Sequence, residues 1–300
     1  MGAAFVQLSL TPILIGIMAA IACALPGNFL LLKKQALIGD AISHVILPGV
    51  IGAFLLTGFV ATWPMLIGAT VAAVVAVLLI EAIKRAGAVE PGAAMGVVFT
   101  AMFAGGVLLL EQANLGDIHL DVEHALYGNL ESVIWFAAED WGSLLNRAAL
   151  AELPPELLRV AAVACVISLL TWVFWRPLSI ATFDEGFASA IGLPTAWISL
   201  GVVITSAVAA VAAFDAVGSI IVIAMFICPA AAARLMTDRL DRQIWWSVLF
   251  AATAALSGYI FAGYGPIWLG FSNAVSSAGM IATMSGLFLT TAAIWGPCRK

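Results

Sequence analysis

Asp40 and His44 stand four residues apart inside the apolar stretch from Ala36 to Leu56, in the string Gly39-Asp40-Ala41-Ile42-Ser43-His44-Val45-Ile46-Leu47-Pro48-Gly49. On a helix that spacing brings both side chains to one face, where a carboxylate oxygen and an imidazole nitrogen can grip one ion. An aspartate at the centre of a bilayer costs about 2.5 to 3.5 kcal/mol on insertion scales, and such residues turn toward a bundle interior or a wet cavity. Oxygen and nitrogen donors together suit Mn, Fe or Zn, and an incomplete, partly hydrated donor set lets an ion leave again. The competing reading of the pair is a hydrogen bond between buried helices. Asp215, in Ala213-Phe214-Asp215-Ala216-Val217-Gly218, is a third candidate ligand or acidic gate, or else a helix cap. Asp121 and His124 are a candidate entry site, although their D-x-x-H spacing also arises freely in loops. Ser43 reads as bonding back to a carbonyl, and Pro48-Gly49 as a kink beside the pair.

The elements that must position these residues are membrane helices. The chain is 63% hydrophobic and 10% charged over 300 residues, with a mean hydropathy of +1.11, a composition that excludes an ordinary soluble domain and indicates an all-α polytopic membrane protein. Apolar stretches of about 20 residues lie near 8–31, 36–57, 60–83, 91–111, 157–175, 195–214, 217–235, 244–262 and 275–295. That makes nine transmembrane helices, or eight if the chain bends or re-enters around Asp215. Residues 1–300 read as a single transmembrane domain. No Lys or Arg precedes the first segment, so it is expected to remain as a span rather than be cleaved. The four cysteines show no C-x-x-C spacing and are expected to be packing residues.

With alternate threading, Lys33, Lys34, Lys84, Arg85, Arg176, Arg234, Arg239, Arg242, Arg299 and Lys300 share one side, and only Arg147 and Arg159 lie opposite. The positive-inside rule then places the amino terminus outside and the carboxyl terminus in the cytoplasm. The connection at about 112–156 becomes an acidic outer loop, which raises the local cation concentration or is simply solvated. No basic stripe suited to nucleic acid is present. The inner connection contains Phe183-Asp184-Glu185-Gly186-Phe187-Ala188-Ser189-Ala190-Ile191-Gly192-Leu193-Pro194, which predicts a short helix at about 182–194, ended by Gly192 and stopped by Pro194. Asp184 and Glu185 favour its amino-terminal end. Phe183, Phe187 and Ile191 recur every four residues, an apolar stripe that fits either the membrane domain or a cytosolic partner.

Three strings together resemble a known family, the permeases of manganese, zinc and iron ABC importers. Gly39 to Gly49 is similar to its G-D-A-x-S-H-x-x-L-P-G pattern, and Phe183 to Pro194 to its F-D-x-x-x-A-x-x-x-G-L-P segment. Ala216-Val217-Gly218 and Pro229-Ala230-Ala231 through Thr237-Asp238 resemble its A-V-G and P-A-A-x-A-x-L-x-T-D strings. The resemblance implies a type II importer permease fold of eight to nine spans in a bacterial cytoplasmic (inner) membrane. It further implies a second permease subunit, identical or not, a cytosolic ABC ATPase dimer, an extracytoplasmic metal-binding protein and surrounding lipid. Phe183, Asp184, Glu185, Phe187, Ala190, Gly192 and Leu193 would form the helix that couples to the ATPase. No cofactor would be bound permanently, since the divalent metal ion is cargo. The chain has no G-x-x-x-x-G-K-[ST] phosphate loop, so ATP hydrolysis is expected on a separate subunit and the chain itself is not expected to be an enzyme.

Two other classes compete. An intramembrane aspartyl protease would need a G-x-G-D string, and residue 37 is leucine. A proton-coupled or channel-like metal carrier without an ATPase explains Asp40 and His44 equally well, but gives the 182–194 helix no purpose.

Overall fold

The computed structural model describes residues 5–35, 38–58, 62–87, 89–112, 130–268, 270 and 274–298, and leaves out some side chains within helices, including those of Asp40, Ser43 and His44. Among the described residues the chain is helical, without strands. The long helices are α1 (Val6–Leu32), α2 (Ile38–Thr57), α3 (Thr62–Gly87) and α4 (Pro91–Gln112). A cap follows, with 3-10 turns at Leu130–Ser132 and Trp141–Leu145 and the short α5 (Arg147–Ala151). Then come α6 (Pro155–Val173), the short α7 (Trp175–Phe183) and α8 (Glu185–Ala190), and the long α9 (Thr195–Val217). The remainder is α10 (Ser219–Met236), α11 (Leu240–Trp268) and α12 (Ser277–Trp295).

Seven of these helices are long and apolar enough to cross a membrane, and α2 and α10 add apolar helices of 20 and 18 residues. Each of the nine segments legible in the sequence therefore coincides with one helix. The junction near Asp215 is a break at one residue: α9 closes at Val217, α10 opens at Ser219, and Gly218 between them has φ +89° and ψ 164°. That conformation is open to glycine almost alone.

Helix α1 is the hub, packed on α6, α9, α10 and α11, while α2 lies against α3, α4, α9 and α10. Little hydrophobic force drives helices together in lipid, so close approach of small residues and buried polar bonds do that work. A Cβ on Gly27 of α1 would collide with the Phe226 carbonyl of α10. Buried Asn28 donates to Ser247 Oγ at 2.9 Å and accepts from Gln243 Nε2 at 3.0 Å, fastening α1 to α11. At the other end of α1 the cap of residues 130–151 is bonded to the bundle. The indole of buried Trp135 donates to the Ala149 carbonyl at 3.0 Å, its backbone N–H donates to Gln7, and Glu131 accepts from the first amide of α12 at Ser277. The cysteines among the described residues are unpaired.

The inner connection differs from expectation in one respect. The sequence predicts a single short helix at about 182–194, whereas the chain folds residues 175–183 as α7 and then turns at Asp184 into the six-residue α8. Asp184 is extended and accepts the Phe187 N–H at 2.8 Å, so it starts a new helix instead of continuing the old one.

Candidate functional site

Helix α2 runs unbroken through both Asp40 and His44, so their spacing is one helical turn; their side chains lie outside the described ones, as do residues 121 and 124 altogether. The segment that carries the pair is gripped by close contacts on three sides. A Cβ on Gly39 would stand 3.1 Å from the Phe226 ring of α10. Pro48 packs on Gly106 of α4, where a Cβ would lie 2.9 Å from the proline Cδ. Gly49 and Gly68 of α3 face each other so closely that a Cβ on either would strike the other's carbonyl oxygen. The glycines and proline of the motif thus fix α2 against its neighbours. Pro48 also stays inside a continuous helix. Lacking an N–H, it cannot donate the usual intrahelical bond to the carbonyl of His44 four residues earlier.

Asp215 lies in the last turn of α9, three residues before Gly218 breaks the helix. Its Oδ2 meets Arg159 Nη2 at 3.0 Å, and the same nitrogen donates to Glu156 Oε1 at 3.0 Å. The Asp215 side chain is 27% exposed. The cap alternative therefore gives way to an ion pair between the first turn of α6 and the last turn of α9, and Arg159 is the partner that spacing alone did not reveal. Among the described residues no cluster of three or more His, Cys, Asp or Glu side chains is placed to hold a metal.

At the opposite end of the bundle, α8 is closed by a Schellman motif: Leu193 N–H donates to Ala188 at 2.9 Å and Gly192 N–H to Ser189 at 3.0 Å. Gly192 takes φ +84°, the left-handed conformation this motif requires. Ala188 is fully buried, while Phe183, Phe187 and Ile191 are 58%, 54% and 51% exposed. The apolar stripe is therefore uncovered by this chain. Ala190 and Leu193 lie with Gly192 at the same closing turn, and Asp184 and Glu185 at its opening.

A family model for the ABC 3 transport family matches residues 6–136 and 146–295. The chain belongs to that family. It is similar to the manganese transport system membrane protein MntD of Bacillus subtilis (strain 168), 36% identical over 284 residues that cover 95% of this chain and 90% of the relative. It is also similar to the zinc transport system membrane protein TroD of Treponema pallidum (strain Nichols), 32% identical and covering 95% and 73%. Among solved structures, PsaBC from Streptococcus pneumoniae in complex with Fab superposes with a TM-score of 0.77 and 27% identity, covering 99% of this chain and 95% of that one. Family membership makes this a multi-pass membrane protein, the permease subunit of an ATP-binding cassette importer, with ATP hydrolysis on a separate subunit.

Proposed function

We propose that this permease carries a divalent transition metal ion, Mn, Zn or Fe, inward across a bacterial cytoplasmic membrane, with its amino terminus outside and its carboxyl terminus in the cytoplasm. Relatives named for manganese and zinc transport support the cargo class. Asp40 and His44 supply the first carboxylate and imidazole on the path, one helical turn apart on α2, and Asp215 is a further oxygen donor. Asp121 and His124 remain candidates for an entry site within the acidic outer connection at about 112–156. An extracytoplasmic metal-binding protein delivers the ion to the outer cap, a second permease subunit completes the pathway, and a cytosolic ATPase pair drives the change of access. The whole chain acts as one transmembrane domain, with coupling assigned to Phe183, Asp184, Glu185, Phe187, Ala190, Gly192 and Leu193.

The observation that favours this reading over an ATPase-independent carrier is the exposed trio of Phe183 at the end of α7, Phe187 on α8 and Ile191 at its carboxyl cap, with α8 capped at both ends. A carrier working alone has no reason to display it in the aqueous phase. The test is uptake of labelled Mn, Zn and Fe into liposomes holding the complete assembly, with Asp40→Ala and His44→Ala variants beside it. Uptake is expected to require ATP and to fall at least about tenfold in each variant, as for loss of an interaction of about 1.4 kcal/mol. Nucleotide-independent uptake by the permease alone would overturn the importer reading, and full uptake in both variants would overturn the site.

A further inference from the structure

Lys33 caps the carboxyl end of α1, and its side chain is only 11% exposed. Its Nζ lies 3.6 Å from Glu185 Oε1 in the first turn of α8 and donates to Ser199 Oγ of α9 at 2.5 Å; Ser199 in turn donates to the same Glu185 oxygen at 3.3 Å. One buried ammonium thus joins α8 to α1 and α9. Beyond Lys33 the backbone is held tightly. Lys34 turns with φ +57°, Lys34 N–H donates to Leu31 at 3.1 Å, Gln35 N–H to Leu30 at 2.8 Å, and Ile38 N–H to Gln35 at 3.1 Å. Ile38 is the first residue of α2 and is buried. Asp40 follows two residues later.

We infer that Lys33 is a positioning residue, a strut that passes displacement of α8 to the α1–α2 turn and so to the start of the helix bearing Asp40 and His44. The inference rests on the transport reading above and adds the route by which the ATPase end reaches the metal end. Two features carry it. Glu185 is 61% exposed, so the pair contributes little to folding, yet it is reinforced by Ser199 and sits on the element that presents the uncovered stripe. A cavity of about 570 Å3, lined by Lys33, Ile38, Glu81, Lys84, Glu185 and Ser199, leaves α8 and the start of α2 room to shift together. Lys84 is paired with Glu81 on its own helix at 2.8 Å and does not compete for Glu185 in this arrangement.

The experiment uses the complete assembly in proteoliposomes, measuring bound ATPase, ATP hydrolysis and Mn ions carried per ATP. Lys33→Met and Ser199→Ala are expected to keep the ATPase bound and hydrolysing while ions carried per ATP fall, at least about tenfold for Lys33→Met. Lys33→Arg should keep most of the ratio, and the paired exchange Lys33→Glu with Glu185→Lys should recover part of what Lys33→Glu alone loses, which loss of fold would not permit. An unchanged ratio in Lys33→Met overturns the strut, as does a loss that neither Lys33→Arg nor the paired exchange reverses. Absence of ATP-driven uptake in the wild-type assembly would instead overturn the transport reading, so the two failures are distinguishable.

Discussion

At the scale of single residues, the Arg159–Asp215 contact sets the terms on which Asp215 can act. A guanidinium already occupies one of its oxygens and one of Glu156, and a divalent ion approaching that carboxylate must displace it. The attraction of a part-buried pair at this distance is on the order of a few kcal/mol before solvent screening is counted, and screening at a side chain more than a quarter exposed cuts it substantially. Exchange by a divalent cation is therefore accessible. Arg159→Gln is expected to lower the KM for metal uptake severalfold by removing the competitor, and Asp215→Asn to raise it. Initial uptake rates across metal concentrations check both, and an unchanged KM in the two variants would remove Asp215 from the path. The aspartate was legible in the sequence because a charge in an apolar run stands out. Its partner was not, since Arg159 lies on another helix and only folding brings α6 beside the end of α9.

At the scale of elements, the nine apolar segments were legible because each must span a hydrocarbon layer of fixed thickness, which imposes a length on the sequence. Helix α7 was not. Residues 175–183 include Arg176, Pro177 and Ser179 and carry no span-length apolar run, so nothing but tertiary contact distinguishes a helix from a connection there. The α2–α3 crossing was not legible either, because Pro48-Gly49 reads locally as a kink and only folding brings Gly49 against Gly68 of the neighbouring helix. The contrast with Gly52, which has open space where a side chain would go, yields a controlled prediction. Gly49→Ala forces α2 and α3 apart and is expected to cost about 1 to 3 kcal/mol, the usual range for overpacking. Gly52→Ala should be neutral or stabilising by up to about 1 kcal/mol through helix propensity. Thermal unfolding in detergent checks the difference, and uptake should fall only in Gly49→Ala, since the displaced helix is the one that carries Asp40 and His44. Equal stability of the two variants would remove the crossing from the account.

At the scale of the whole molecule, the two ends of the bundle are built for different tasks. One end carries the Trp135 cap, with Glu131 accepting from the first amide of α12; the other displays Phe183 at the end of α7 and Phe187 and Ile191 on and just after α8, which is fixed by Asp184 and Gly192. A rigid helix that presents aromatic anchors loses little conformational freedom on docking, so most of the burial becomes affinity. Interface anchors of this kind commonly contribute 2 kcal/mol or more, roughly a thirtyfold change in affinity. Phe187→Ser is accordingly expected to weaken binding of the ATPase by at least about tenfold without lowering the thermal stability of the permease, because the removed ring is more than half exposed in the isolated chain. Titrating the purified ATPase against permease in nanodiscs measures the first effect, and a melting curve of the permease alone the second. Unchanged affinity would move the docking surface away from α8, while a loss of affinity accompanied by lower stability would mean that the ring supports the fold instead. The expected split, weaker docking on an intact fold, follows from one placement: the chain buries Ala188 on the inner side of α8 and leaves Phe187 next to it uncovered.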